Sequence, residues 1–300
     1  MLRRLWWTVK TNSKLLINLW PLLRSADEIL FTGSPPLLVH WIAPANYILR
    51  KRLIYRITDF HPECLMAARR RPSIWLRLFY RLTLFWRRGV DMFEVLGEDQ
   101  RARLREIGIP PQRIRLKRDP SPVAIPPDTQ PLQRPPEFSQ RLLLLYSGNW
   151  GVAHDADTFI EAYRRHHLEG SGRFVLWLNA VGTKADIVGE ALSAEGLPLI
   201  RTLPVPLDHL ASLLVTPDAH LITLADPFVG FVLPSKVHGC IASGKPILFI
   251  GSQRSDVHLL CAAGARSQYV RVNADDVSAC FTALEEMAEG LQSQPTKILA

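Results

Sequence analysis

At 300 residues, with 47% hydrophobic and 21% charged residues, the chain is long enough to bury the cores of two domains, so disorder is not its default state. Its formal net charge of +8 is uneven: residues 1–140 hold 24 Lys/Arg against 12 Asp/Glu, and residues 141–300 hold 12 against 16. The basic half can attract nucleic acid, an anionic membrane surface or phosphorylated substrates. Cys64, Cys240, Cys261 and Cys280 show neither CxxC spacing nor clustering with His, which argues against a zinc site or disulfide framework and for reduced, mostly buried thiols.

The chain opens on Met1-Leu2-Arg3-Arg4, but Lys10 and Lys14 interrupt any apolar stretch, so no signal peptide is expected and Leu2 to Ser25 reads as a helix. Residues 29–49 carry no charge. Pro35, Pro36 and Pro44 break the run, however, and a strand, a turn and a buried helix fit it better than a membrane span. Strands are expected at Ile29 to Thr32, Leu53 to Ile57, Phe93 to Leu96 and Ile114 to Leu116.

Residues 66–90 contain no acid. Arg69, Arg70, Arg71, Arg77, Arg81, Arg87 and Arg88 alternate with apolar residues, and Trp75, Phe79, Leu82 and Trp86 recur at helical spacing. Such a helix either lies in a membrane interface or turns its apolar stripe to the core and its arginines to solvent. Nucleic-acid binding is less attractive because no recognised reading module accompanies the arginines.

Seven prolines between Asp119 and Gln140 deny the backbone helix and ladder hydrogen bonds and mark an interdomain linker. After it, apolar runs at 142–146, 174–178, 198–202, 219–224, 246–250 and 268–271 alternate with helical segments, which implies a parallel sheet covered on both faces. The expected organisation is a first domain over 1–118, a linker over 119–140, a second domain over 141–290 and a tail over 291–300. In such sheets ligands sit beyond the C-terminal strand ends, where helix N-termini present free amides.

Leu233-Pro234-Ser235-Lys236 starts a segment that runs through Gly239 to Gly244-Lys245-Pro246. Pro suits a first helical turn and Ser can cap it, so Lys236 falls at a helix N-terminus that could hold a diphosphate. The bland alternative is a capped helix with a solvated lysine. Gly239 to Lys245 also matches GxxxxGK, but Pro246 follows and the segment precedes a strand, which rules out a P-loop.

Tyr146-Ser147-Gly148-Asn149-Trp150-Gly151 leads to His154-Asp155 and a helix near Asp157. Gly148 and Gly151 would allow a ligand to approach the backbone. An ordinary βα turn with Asp155 as N-cap is the alternative, and Asp155-Ala156-Asp157 is expected at a helix start without a metal. His154 is a candidate hydrogen-bond donor to a sugar or its phosphates. Phe228 and Gly230 follow another strand as a candidate pocket wall, and Val205 lies in a Leu-Pro-Val-Pro turn that could rest against a base.

Together these residues resemble family 4-like GT-B glycosyltransferases, in particular a surface-polysaccharide branch with a Pro-Ser-Lys motif. Tyr146 to Gly151 looks like its YSGNxG loop, and Leu233 to Pro246 looks like its VPSKxYGxxAxGxP segment. Thr32-Gly33-Ser34-Pro35-Pro36 resembles its SPP turn, Asp59 to Glu63 its DxxPE segment, and Gly108 to Ile114 its GxPxxRI turn.

The resemblance implies an α/β fold of two Rossmann-like domains with parallel sheets, the first incomplete because the family's opening strand and Gly-rich turn are not seen. It implies a metal-independent, cofactor-free, retaining transfer from a nucleoside diphosphate sugar to a saccharide or lipid-linked acceptor. Lys236 and His154 would be catalytic, with Gly148, Asn149, Val205, Phe228, Gly230, Pro234, Ser235 and Gly239 on the donor and Asp59 and Glu63 on the acceptor side. The expected location is cytoplasmic, with a peripheral place on an anionic inner membrane face through residues 66–90. The family's paired glutamates are replaced by Phe231 and Gly239. A non-catalytic nucleotide-sugar-binding remnant and a same-fold epimerase remain as alternatives, the latter needing acid/base carboxylates.

Overall fold

The computed structural model describes residues 2–264 and 268–293, and the tail expected over 291–300 lies outside them from 294 onward. The chain divides into two compact units, one made of Met1–Arg118 with Pro227–Leu233, the other of Asp119–Asp226 with residues 234 onward.

In the first unit the elements run α1 (Leu2–Ser25), β1 (Glu28–Thr32), α2 (Val39–Leu49), β2 (Arg52–Ile57), α3 (Glu63–Ala67), α4 (Ile74–Arg88), β3 (Met92–Val95), α5 (Glu98–Glu106) and β4 (Ile114–Leu116). All four strands are parallel, in the order β1-β2-β3-β4. Alternation places Ile29 and Phe31, then Leu53, Tyr55 and Ile57, on one buried face. There they join Phe93, Val95, Val39, Ile42 and Leu104 in a single core. Burying one such side chain fully contributes roughly 1.5–3 kcal/mol, so Val39, Ile42, Ala43 and Ala45 together outweigh the penalty of roughly 3 kcal/mol for Pro44 inside α2.

Of the two readings of helix α4, the core-facing one does not hold. The helix's buried residues are Thr83 and Arg87, not an apolar stripe. Phe79 and Trp86 are only half-buried, while Trp75, Leu78, Leu82 and Phe85 are exposed, Trp75 at 77%. The residues at i, i+3, i+7 and i+10 therefore form an outward apolar stripe. Of the seven arginines, Arg87 alone is buried, because Glu63 pairs with both of its terminal nitrogens.

The second unit contains β5 (Leu142–Asn149), α6 (Asp157–Leu168), β6 (Phe174–Val181), α7 (Thr183–Ala194), β7 (Leu199–Thr202), α8 (Leu210–Val215), β8 (Ala219–Thr223), α9 (Lys236–Ser243), β9 (Ile247–Ile250), α10 (Asp256–Gly264), β10 (Tyr269–Val272) and α11 (Val277–Gln292). Its parallel sheet has the order β10-β9-β8-β5-β6-β7. The central strands are buried on both faces, as a sheet with helices on either side requires. The proline-rich segment packs on this unit: Leu132 and Phe138 lie against Leu143 and Leu145, and Arg134 clasps Asp218 with bonds of 3.0 and 2.8 Å.

The strand order reverses at β5, which pairs with β6 on one side and β8 on the other. Pairing with β8 covers only Leu144↔Ala219 and Leu145↔His220, whereas pairing with β6 continues to Asn149↔Val181. Ladder pairing between β5 and β8 thus ends at Leu145, at the topological switch point where ligands of open α/β sheets bind.

Candidate functional site

Three segments distant in sequence meet at that switch point. Tyr146 ends the buried part of β5, His154 lies in the loop that follows, and Lys236 begins α9. Tyr146 stacks on Trp150 with ring centroids 3.7 Å apart and presents its edge to His154 at 6.2 Å. Trp150 is pinned from both ends: its indole Nε1 donates to Asp155 O at 2.9 Å and its amide to Val181 O at 2.7 Å. Gly182, at φ +114°, lets this turn close, since a Cβ there would fall 2.4 Å from Asn149 Oδ1 and 2.7 Å from Trp150 O. Ala225 N donates to Ala153 O at 2.9 Å, which ties the loop to the exit of β8.

Lys236 does not stand out into solvent as a helix-start lysine would. Its stem is partly exposed, but Nζ is enclosed, lies 3.1 Å from the centroid of the Tyr146 ring and has no hydrogen-bond partner. The cation–π contact returns some of the lost hydration, up to about 2 kcal/mol when desolvated. Desolvation of an ammonium costs several times that, and burial holds the Lys236 pKa well below its ordinary value. Orphaned groups of this kind at a switch point mark a functional site or stored strain.

His154 is buried, and its Nδ1 lies 2.6 Å from Thr223 O. A carbonyl only accepts, so Nδ1 carries the proton and Nε2 is the acceptor in the neutral ring. Burial first, then the neighbouring Lys236 charge, lower the His154 pKa to about 3. The expected donor role is therefore corrected: the neutral imidazole has spent its donor on Thr223 and offers an acceptor.

The other expected site residues separate. Gly148 (φ +97°) and Asn149 form the exposed end of β5, and a Cβ on Gly148 would meet nothing within 4 Å. Pro234 is buried and accepts from Val237 N at 3.1 Å. Ser235 occupies the N-cap position with helical angles and no side-chain cap bond, so it does not cap α9 as expected. Asp155 does not cap α6 either, since Ala156 takes that position.

Gly239 is buried on α9, where a Cβ would stand 2.9 Å from Leu214 Cδ1; it serves helix packing on α8 and is not placed to touch a donor. Val205 packs beside Leu143, Trp177 and Leu213. Phe228 and Gly230 belong to the first unit, where Gly230 (φ +79°) lies so close to Asp99 O and the Arg103 side chain that a Cβ would be within 3 Å of both.

On the first unit, Asp59 is exposed at the C-terminal end of β2. Glu63 is buried and held by Arg87, which also donates to His61 O at 3.0 Å. It is thus a structural counter-ion, not an open acceptor-side carboxylate. Tyr146 was missed as a platform because it closes an apolar run and reads as core. Arg87 was missed because a lone arginine in a basic helix reads as solvated. Among the described residues no group of three or more His, Cys, Asp or Glu could hold a metal. Nor is any described helix long and apolar enough to cross a membrane.

Two parallel α/β units, the second with its strand order reversing at β5, define the GT-B fold. HepE of Anabaena, solved with UDP and glucose, shares it at a TM-score of 0.64 and 12% identity, over 93% of this chain and 74% of that one. A putative UDP-N-acetylglucosamine 2-epimerase from Listeria monocytogenes shares it at 0.53 and 11%, over 94% and 70%. In sequence, the chain is 24% identical over 243 residues to WbjE of Pseudomonas aeruginosa, described as a probable glycosyltransferase. That match spans 78% of this chain and 60% of WbjE, so the chain accounts for well under two thirds of its relative's length. No protein-family model matches the chain.

Proposed function

We propose that the chain is the donor-binding part of a GT-B glycosyltransferase that moves a sugar from a nucleoside diphosphate to a saccharide or lipid-linked acceptor of a surface polysaccharide. The observation that carries this is the enclosed, unpartnered Lys236 Nζ at the switch point beside neutral His154. An anionic diphosphate is the ligand that would supply the missing partner. The likeness to WbjE favours transfer, and HepE shows UDP and glucose held in this fold.

In the transfer, the bond between the sugar C1 and the diphosphate oxygen breaks with its electron pair going to that oxygen, the acceptor oxygen bonds C1, and the acceptor proton passes to the departing diphosphate. Charge grows on the diphosphate as it departs, and Lys236 with the amides at the start of α9 would stabilise it without a metal. The His154 acceptor nitrogen suits a sugar hydroxyl. Retention of configuration, membership of the Pro-Ser-Lys branch and a cytoplasmic, peripheral location rest on the motif resemblance. The outward stripe of α4 with Arg77 and Arg81 supports contact with an anionic membrane.

The test is thermal stability against UDP, GDP, ADP and TDP and their sugars, since a ligand bound only by the native state raises the melting temperature. One nucleotide should give a selective shift that Lys236→Ala abolishes with the fold retained. Shifts that survive Lys236→Ala unchanged would remove the lysine from the site, and no shift with any nucleotide would refute donor binding. Turnover of a nucleotide sugar without acceptor, giving its epimer, would move the assignment to an epimerase.

A further inference from the structure

Between α2 and α4 of the first unit lies a groove of about 650 Å³ whose walls include Tyr47, Arg50, Phe85, Trp86, Arg88 and Gly89. It is apolar along one side and cationic at one end. Tyr47 is 84% exposed and Phe85 60%, and the Phe85 and Trp86 rings meet edge to face at 4.9 Å. The exposed stripe of Trp75, Leu78 and Leu82 continues along α4 into this wall. Arg50 and Arg88 are both exposed and stand at the ends of α2 and α4.

The cationic end is built on a fixed turn. Arg50 adopts the left-handed conformation (φ 53°) and its amide donates to Asn46 O at 2.7 Å. The Asn46 side chain bonds both ways to Lys51, donating to its carbonyl at 2.8 Å and accepting from its amide at 3.0 Å. Two helix C-termini converge here, and their dipoles disfavour an anion. Arg113 opposes this by donating to the carbonyls of Arg88, at 2.8 Å, and Val90. The nearby acid, Asp91, is engaged by the Leu53 amide at 2.7 Å. Two charge-assisted arginine bonds to a phosphate outweigh the partial charges of the helix ends.

The groove opens where Lys51 leads into β2 and Gly89 leads into β3, at the N-terminal ends of the strands. Ligands that react in such sheets sit at the opposite, C-terminal ends, so this groove is a place to hold, not to react.

We propose that the groove binds one anionic phospholipid of the membrane surface, with its phosphate on Arg50 and Arg88 and the head of its acyl chains along Tyr47, Phe85 and Trp86. This rests on the membrane contact of α4 proposed above, to which it adds a stoichiometric site. The occupant is set by charge complementarity: an amphiphile with an anionic head matches a cationic end and an aromatic wall, and residues 66–90 contain no acid to repel it.

Monomeric dihexanoyl-phosphatidylglycerol, below its micelle concentration, should bind the full chain saturably with a stoichiometry of one, read by calorimetry. Dihexanoyl-phosphatidylcholine should bind at least tenfold more weakly. R50N/R88Q, which keeps a residue tolerant of the left-handed turn, should weaken phosphatidylglycerol binding at least tenfold with an unchanged melting temperature, and F85S should weaken it independently. Equal binding of the two lipids, or binding untouched by R50N/R88Q and F85S, would overturn the site. Co-sedimentation with phosphatidylglycerol vesicles separates the two proposals. If W75S/L82S abolishes it while R50N/R88Q has no effect on monomer binding, the membrane contact stands and the slot falls. If the wild type binds the monomer but no vesicle, the slot stands and the membrane contact falls.

Discussion

Arg87 in the first unit and Lys236 in the second are both enclosed cations, and the two are treated in opposite ways. Arg87 is buried in the first unit with a bidentate partner in Glu63, a carbonyl from His61 and the Phe60 ring at 5.2 Å. Lys236 is enclosed in the second unit with an aromatic face and no hydrogen-bond partner at all. A buried charge held by a carboxylate of the free protein belongs to the scaffold, even though the Arg87 Nε has no hydrogen-bond partner of its own. A buried charge left unpaired keeps a free-energy cost that only a ligand can offset, which is how a binding site differs from a strut.

Breaking the paired cation should have the largest effect. Arg87→Ala leaves Glu63 as an uncompensated buried charge and is expected to cost about 3–5 kcal/mol. Hydrogen exchange should show protection lost in β2 and β3 while β5 and β6 keep theirs. Uniform loss across both sheets would mean that the pair is not a strut of the first unit alone.

Removing the unpaired cation should act in the opposite direction. Lys236→Met keeps the length and apolar contacts of the stem while deleting the orphaned ammonium, and is expected to stabilise the chain by about 1–3 kcal/mol, the cost of an unsatisfied buried polar group. The same variant should lose the nucleotide-induced rise in melting temperature. Destabilisation by urea titration would show that Lys236 supports the fold, and the contrast with Arg87 would collapse.

A smaller effect distinguishes the units by pH. Burial lowers the pKa of His154 to about 3 and of His220 to about 4 in the second unit, and of His40, beside Arg87, to about 4 in the first. Over the interval from those values up to 6.5 the unfolded chain binds more protons than the native one, so stability is full above 6.5 and declines as pH falls. Between pH 7 and pH 5, above the main carboxylate range, the urea midpoint should drop. The second unit, with three buried rings at His154, His166 and His220, should lose more than the first. A flat profile would mean that these rings accept protons in place.

The strands and helices were legible because their signal is local. Apolar runs such as Leu142 to Tyr146 and Phe174 to Leu178 are bounded by turn residues within reach of any window, and the observed strands start or end within a few residues of them. Observed strand ends differ most where pairing extends a strand past its apolar run: β5 continues through Ser147-Gly148-Asn149 because β6 offers a partner as far as Val181. The candidate site was legible in part. Lys236 and His154 were found as motif residues and do come together around Tyr146.

By itself, then, the sequence determined the parallel α/β architecture, the break near Arg118 and the segments that would meet at the β5/β8 switch point. Those properties follow from periodicity and turn chemistry along the chain. Only the tertiary structure decided the state of the individual side chains. It turned the α4 stripe outward and Arg87 inward, placed Gly239 against Leu214, gave Glu63 to Arg87 and enclosed the Lys236 ammonium over Tyr146. The physical reason is the same in each case: burial and pairing are set by neighbours 24 to 90 positions away. No local pattern of residue types contains that information.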